Sequence, residues 1–201
     1  HLIDIWLEKG GVDLGSRGPL FEKSIKDRLD EILTKKNYFF NISNKSKFYN
    51  SRNEFEEIDL VLSLKNLIII AEVKCVKFPF EPREISNSLL RIQKGAQQIN
   101  RKLKFVKDNS SDLTDDIEGV ETKEIVPLMI CNYPIFTGFS IEGVQIIDFF
   151  LMEAYFSSGR LQQTKITFEK GEIENEHVGE LKFYDDEDQC SSNFLDHMKN
   201  P

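Results

Sequence analysis

A chain of 201 residues, 40% hydrophobic and 30% charged, has the length and balance of one good-sized globular domain. It holds no apolar run of about 18 residues and no secretory-leader pattern, and its three scattered cysteines and three histidines leave little material for a disulfide framework, a zinc site or a Ser-His-Asp triad. The net charge of −8 is unevenly spread: residues 1–107 carry 20 Lys and Arg against 14 Asp and Glu, whereas residues 108–201 carry 6 against 20.

That asymmetry allows a basic face on the first half and makes the second half an acidic, solubilising one. The cysteine usage makes a reducing, cytoplasmic setting the expectation.

Residues 1–18 read as a short amphipathic lead closing in Gly15-Ser16-Arg17-Gly18. Pro19 suits a first helical position, and Phe21, Ile25, Leu29 and Ile32/Leu33 recur at helical spacing, which predicts a helix over 19–35. Glu22 flanks that stripe, where an acid in the first turn is favoured by the helix dipole alone. Tyr38 to Ile42 begins a strand whose polar continuation through Lys47 reads as an edge or loop. Phe48 to Glu57 reads as a mixed connection, with Glu56 and Glu57 either solvated or assisting a metal site.

Ile58 to Cys75 then predicts a β-hairpin turning at Lys65-Asn66. Alternation puts Leu67, Ile69, Ala71, Val73 and Cys75 on one face, and Ile68, Ile70, Glu72 and Lys74 on the other. With a turn centred there, residue 62 pairs with 69 and Asp59 lies opposite Glu72, Cβ atoms about 4.5–5.5 Å apart. Facing carboxylates repel, and charges this deep in an apolar strand are costly unless paired or bound to metal. A divalent cation relieves the repulsion, and oxygen donors of this kind suit Mg²⁺ or Mn²⁺. Lys74 follows on the same face, within reach of a water beside such a metal. The folding-only account is an interstrand bridge from Lys74 to both acids, which leaves one carboxylate in excess.

Pro79 and Pro82 mark a loop after the hairpin. Ile85, Leu89, Ile92, Ala96, Ile99, Leu103 and Val106 alternate by four and three, predicting a long helix over 84–107. Arg91, Lys94, Gln98 and Arg101 form a polar flank beside that stripe. It reads either as a solvated face or as a strip reaching toward a phosphate backbone. Residues 108–124 read as a mobile acidic loop, Ile125 to Cys131 and Gly143 to Asp148 as strands, and Phe149 to Phe156 as a helix. Residues 162–184 supply a peripheral hairpin and 185–201 an acidic, disordered tail, so the chain divides into a main domain over 1–160 and an appendage over 161–201. The expected class is α/β, a mixed central sheet flanked by helices.

Asp59, followed thirteen residues later by Glu72-Val73-Lys74 on the second hairpin strand, resembles the PD-(D/E)xK motif of restriction-endonuclease-like nucleases, with Ile58 where some members have proline. Glu57-Ile58-Asp59-Leu60-Val61 with Ala71-Glu72-Val73-Lys74 is similar to nuclease-related-domain and Holliday-junction-resolvase-type members, and Gln97 or Gln98 is similar to glutamines found there. The resemblance covers residues 19–131 and implies an αβββαβ core. It implies that Asp59, Glu72 and the Val73 carbonyl bind Mg²⁺ or Mn²⁺, that Glu22 holds a second metal or its water, and that Lys74 positions the attacking water. Arg91, Lys94, Gln98 and Arg101 become candidates for nucleic-acid contact. The implied partner is nucleic acid, DNA before RNA, with no membrane, and with a homodimer or a place in a larger assembly open. The competing reading, favoured by the acidic second half, is a catalytically silent interaction domain on the same fold.

Overall fold

The computed structural model of the protein describes residues 10–11, 15–169 and 172–199, so most of the expected amphipathic lead lies outside the described residues. Helix α1 (Arg17–Lys36) begins two residues before Pro19, which therefore occupies the third helical position. An imino nitrogen costs nothing there, because the first four N–H groups of a helix have no intrahelical acceptor. The helix stops at Asn37, which takes the left-handed conformation (φ 56°) that asparagine tolerates and returns its N–H to the Thr34 carbonyl.

The remaining elements, in order, are β1 (Phe40–Ile42), β2 (Lys47–Tyr49), β3 (Phe55–Glu57), β4 (Leu60–Leu64), β5 (Leu67–Lys74), α2 (Pro82–Asp108), β6 (Glu124–Cys131), β7 (Ser140–Ile141), β8 (Val144–Asp148), α3 (Phe149–Ser158), β9 (Arg160–Glu169), β10 (Glu172–Lys182), α4 (Glu187–Ser192) and α5 (Phe194–Lys199). Six strands form the central sheet in the order β1-β4-β5-β6-β8-β7. It is mixed: β4 and β5 are antiparallel, β5, β6 and β8 run parallel, and β7 closes the far edge antiparallel. The protein is thus a mixed α/β fold with helices flanking a mixed sheet. No helix among the described residues is long and apolar enough to cross a membrane.

The two faces of β5 sort as strand alternation requires. Leu67, Ile69, Ala71 and Val73 pack with Ile25, Leu29 and Leu33 of α1 and with Met152, Tyr155 and Phe156 of α3. Ile68 and Ile70 pack with Ile92, Ala96 and Ile99 of α2. Burial on both faces explains why this strand reads as a near-continuous apolar run. The β4–β5 pairing runs from Ser63↔Ile68 through Leu62↔Ile69 to Leu60↔Ala71, the register that a turn at Lys65-Asn66 requires, and it ends one residue short of Asp59 and Glu72.

Four expectations differ from the structure. The mixed connection at 48–57 contains a small antiparallel pair, β2 with β3, anchored by the fully buried Phe48 and by Asn50, whose Oδ1 accepts the N–H groups of Arg52 and Glu54. The acidic loop at 108–124 is tied down: Leu113, Ile117 and Val120 are buried on the α2 side of the sheet, while the acids between them face outward. The apolar stripe of α2 is buried only from Ile92 onward, leaving Ile85 and Leu89 exposed where the helix overhangs the sheet. The acidic end of the chain forms α4 and α5, with Cys190, Phe194 and Met198 buried against α3. Its sparse apolar residues are the ones that pack, and a charge count overlooks them.

Candidate active site

Asp59 stands one residue ahead of β4 and Glu72 lies near the carboxyl end of β5, and both face α2. Their depth differs: the side chain of Glu72 is 5% exposed and that of Asp59 16%. Asp59 Oδ2 accepts the backbone N–H of Val73 at 2.8 Å, which fixes the carboxylate across the hairpin. Val73 therefore meets the acid through its N–H. Lys74 Nζ donates to Glu72 Oε1 at 2.5 Å and to Gln98 Oε1 at 3.3 Å, so Gln98 is the member of the predicted polar flank that reaches the catalytic-type residues.

Lys102 is the residue that the sequence did not mark. It is buried in α2, its ammonium donates to Glu72 Oε2, and it stands 3.6 Å from Asp59 Oδ1. The signal was present in the helix spacing. Arg91, Gly95, Gln98 and Lys102 recur at four, three and four, a stripe adjacent to the apolar one that faces the sheet. Gly95 belongs to it for a steric reason. A Cβ there would lie 2.7 Å from Met129 Cε and 3.2 Å from Lys74 Cε, so its absence makes room for Lys74.

Glu22 projects from α1 and joins the same electrostatic neighbourhood. Partial burial holds its carboxyl above the ordinary 4.5, the negative charge of Asp59 adds to the rise, and Lys26 opposes it. Asp59 is likewise raised, by burial first and then by Glu72, against the pull of Lys102 and the Val73 N–H. The first turn of α1 carries no acid, so the dipole account of Glu22 does not apply. Asp59 and Glu72 share Lys74 and Lys102, while Glu22 stands at their margin, opposed by Lys26.

Other members of the flank do not gather here. Arg101 forms a bidentate pair with Glu56, Nε–Oε1 at 2.7 Å and Nη2–Oε2 at 2.9 Å, which also corrects the solvated reading of Glu56. Lys94 points into solvent, and Gln97 donates to Glu142. Arg91 lines a separate cleft at the amino end of α2.

The site offers oxygen donors of the kind that hold a hard divalent cation. Among the described residues no three Asp, Glu, His or Cys side chains are gathered closely enough to cage one. Magnesium, however, is ordinarily held by one or two carboxylates with water and substrate phosphate completing its shell. The Asp59–Glu72 pair meets that requirement, and the Glu22 and Asp59 carboxyls are raised first by burial and then by the neighbouring acid charge. In the present geometry Lys102 supplies the bridging charge. No family model, no curated protein and no solved structure matches this chain.

Proposed function

We propose that the protein is a metal-dependent phosphodiester hydrolase of the restriction-endonuclease-like kind, with DNA as the favoured substrate. The observation that carries this reading is the placing of Asp59, Glu72 and Lys74 on one side of the hairpin, Asp59 tied to the Val73 N–H and Lys74 to Glu72, with Glu22 near enough for the charge of Asp59 to raise its carboxyl. Asp59 and Glu72 would hold Mg²⁺ or Mn²⁺, and Glu22 would orient a water at its edge. The ion, when bound, supplies Lewis acidity and a water of lowered pKa. Lys74, 28% exposed and held between Glu72 and Gln98, presents an ammonium where charge develops on a phosphate. The carboxylate of Asp59 keeps its orientation through the Val73 N–H whether or not a metal is present.

A second reading rests on Lys102. Its ammonium already bridges Glu72 and Asp59, as it would in a silent interaction domain whose acids and lysines only hold the hairpin to α2. Incubating plasmid, linear and single-stranded DNA, and RNA, with Mg²⁺ or Mn²⁺ separates the two. The hydrolase reading expects metal-dependent cleavage that falls about 10²-fold or more in Asp59→Asn and Lys74→Met, with the circular dichroism spectrum unchanged. Cleavage that survives both substitutions would overturn the assignment, and no cleavage of any substrate would transfer weight to the silent domain.

A further inference from the structure

Beyond Lys74 the chain leaves the sheet through Lys77-Phe78-Pro79-Phe80 before α2 begins. Phe78 and Phe80 meet with ring centroids 5.2 Å apart, and Phe78 meets Tyr133 edge-on at 5.5 Å. Tyr133 follows β6, the parallel neighbour of β5, and the two strand ends are clamped together: Asn132 accepts the Val76 N–H and donates to the Val76 carbonyl. The cluster is well supported yet open, with Phe78 38% and Phe80 64% exposed. Beside it lies a cleft of about 150 Å³ bounded by Lys77, Phe78, Pro79, Ser88 and Arg91. A space of that volume takes one flat ring, since an engineered cavity of about 150 Å³ binds benzene. The one acid on its wall, Glu84, also caps α2, accepting the N–H groups of Phe80 and Glu81.

This cleft and the acid site lie on one stripe of α2. Arg91 is at the cleft, Gly95 against Lys74, Gln98 on the Lys74 ammonium and Lys102 on Glu72. Arg91 and Gln98 are seven residues apart, roughly 10 Å along a helix, or about three stacked nucleotide steps of 3.4 Å. We propose that the Phe78–Phe80–Tyr133 cluster is a stacking site for an unpaired nucleobase, with Lys77 and Arg91 taking the adjoining phosphate. The substrate of the neighbouring site is then a strand with single-stranded or frayed nucleotides. The assignment deepens the hydrolase reading and rests on it only for the fate of the strand at Asp59 and Glu72. Aromatic faces next to cations are the chemistry that holds single strands without regard to sequence. Duplex bases have no free face to offer them.

The test is fluorescence anisotropy with the full chain in EDTA, where cleavage is suppressed. The probes are a fluorescein-labelled thymidine strand of about 12 nucleotides, inside the footprint of known aromatic single-strand sites, and a duplex of the same length. The single strand should bind more tightly, and Phe80→Ala, at an exposed position, should weaken it about 5- to 100-fold. Arg91→Gln should lower the slope of log K against log salt by about 1. Equal binding of strand and duplex, an unchanged Kd in Phe80→Ala, or a lost melting transition in that variant would overturn the proposal. The two readings fail separately. Single-strand binding through Phe80 without cleavage of any nucleic acid supports the stacking site and removes the hydrolase. Metal-dependent cleavage that favours duplex and ignores Phe80→Ala does the reverse.

Discussion

Lys102 is the residue on which the metal and the structural readings diverge. Its side chain is 7% exposed and that of Glu72 5%, so Lys102→Met takes away the more buried of the two ammonium groups that hold Glu72 and leaves Lys74 alone. Breaking a buried pair from one side costs about 3–5 kcal/mol. Thermal melting should show that loss in EDTA, and millimolar Mg²⁺ should restore much of it if the Asp59–Glu72 pair accepts a metal. A Tm indifferent to Mg²⁺ in both variant and wild type would remove the metal from this site. Glu22 gives an independent check through pH. Its carboxyl titrates above 4.5 in the fold, so as pH rises the unfolded chain ionises first, and folding stability falls from about pH 4.5 up to the folded value and stays lower above it. Glu22→Gln should therefore raise the denaturant midpoint at pH 7, with the gain gone at pH 4. A variant that is less stable at pH 7 would show that Glu22 serves as a fold-supporting acid. Asp59, Glu72 and Lys74 were legible from sequence because strand alternation and the turn position fix a hairpin's faces within eighteen residues. Lys102 was not, because which of two adjacent helix stripes meets the sheet depends on packing far away in the chain.

At the scale of the element, α2 is a single helix with three duties. Ile92, Ala96, Ile99 and Val106 bury against the sheet, Gln98 and Lys102 reach the acids, and Arg91 serves the cleft. Gly95 exposes the tension between them. Alanine is favoured over glycine in a helix by about 1 kcal/mol, and the atoms that an added Cβ would meet are the flexible ends of Met129 and Lys74. Gly95→Ala should keep or slightly raise stability while, on the hydrolase reading, lowering cleavage by at most about 10-fold, since Lys74 Cε has to give by less than the roughly 1 Å that costs about 100-fold. Parallel measurements of Tm and kcat/KM check it, and unchanged kcat/KM would mean that Lys74 is not tightly placed. Sequence periodicity fixed the extent of α2 to within two residues of Pro82–Asp108. It misjudged the first turns, where Ile85 and Leu89 look like core residues but stay exposed while Ser88 between them is buried.

For the molecule as a whole, the acidic second half is not an idle appendage. Tyr155 in α3 packs edge-to-face on Phe194 at 5.3 Å, its hydroxyl donates to the Cys190 carbonyl at 2.9 Å, and Tyr184 donates to the Tyr155 carbonyl at 2.8 Å. These contacts bind α4 and α5 to the face of the sheet that also receives α1, so the chain's end supports the helix that presents Glu22. Phe194→Ala should cost about 3–5 kcal/mol, measured by urea unfolding, and a loss under 1 kcal/mol would mark the closing helices as peripheral. Composition hid this, because a few buried aromatics among many acids read as a solvated tail. The central sheet carries one more consequence, for assembly. Its outermost strands are stubs, three residues in β1 and two in β7, which offer few open backbone groups for a foreign strand to zip onto. Lateral growth of the central sheet is thereby discouraged at both margins, and the long strand edges open to a second copy of this chain lie instead on the β9–β10 ribbon.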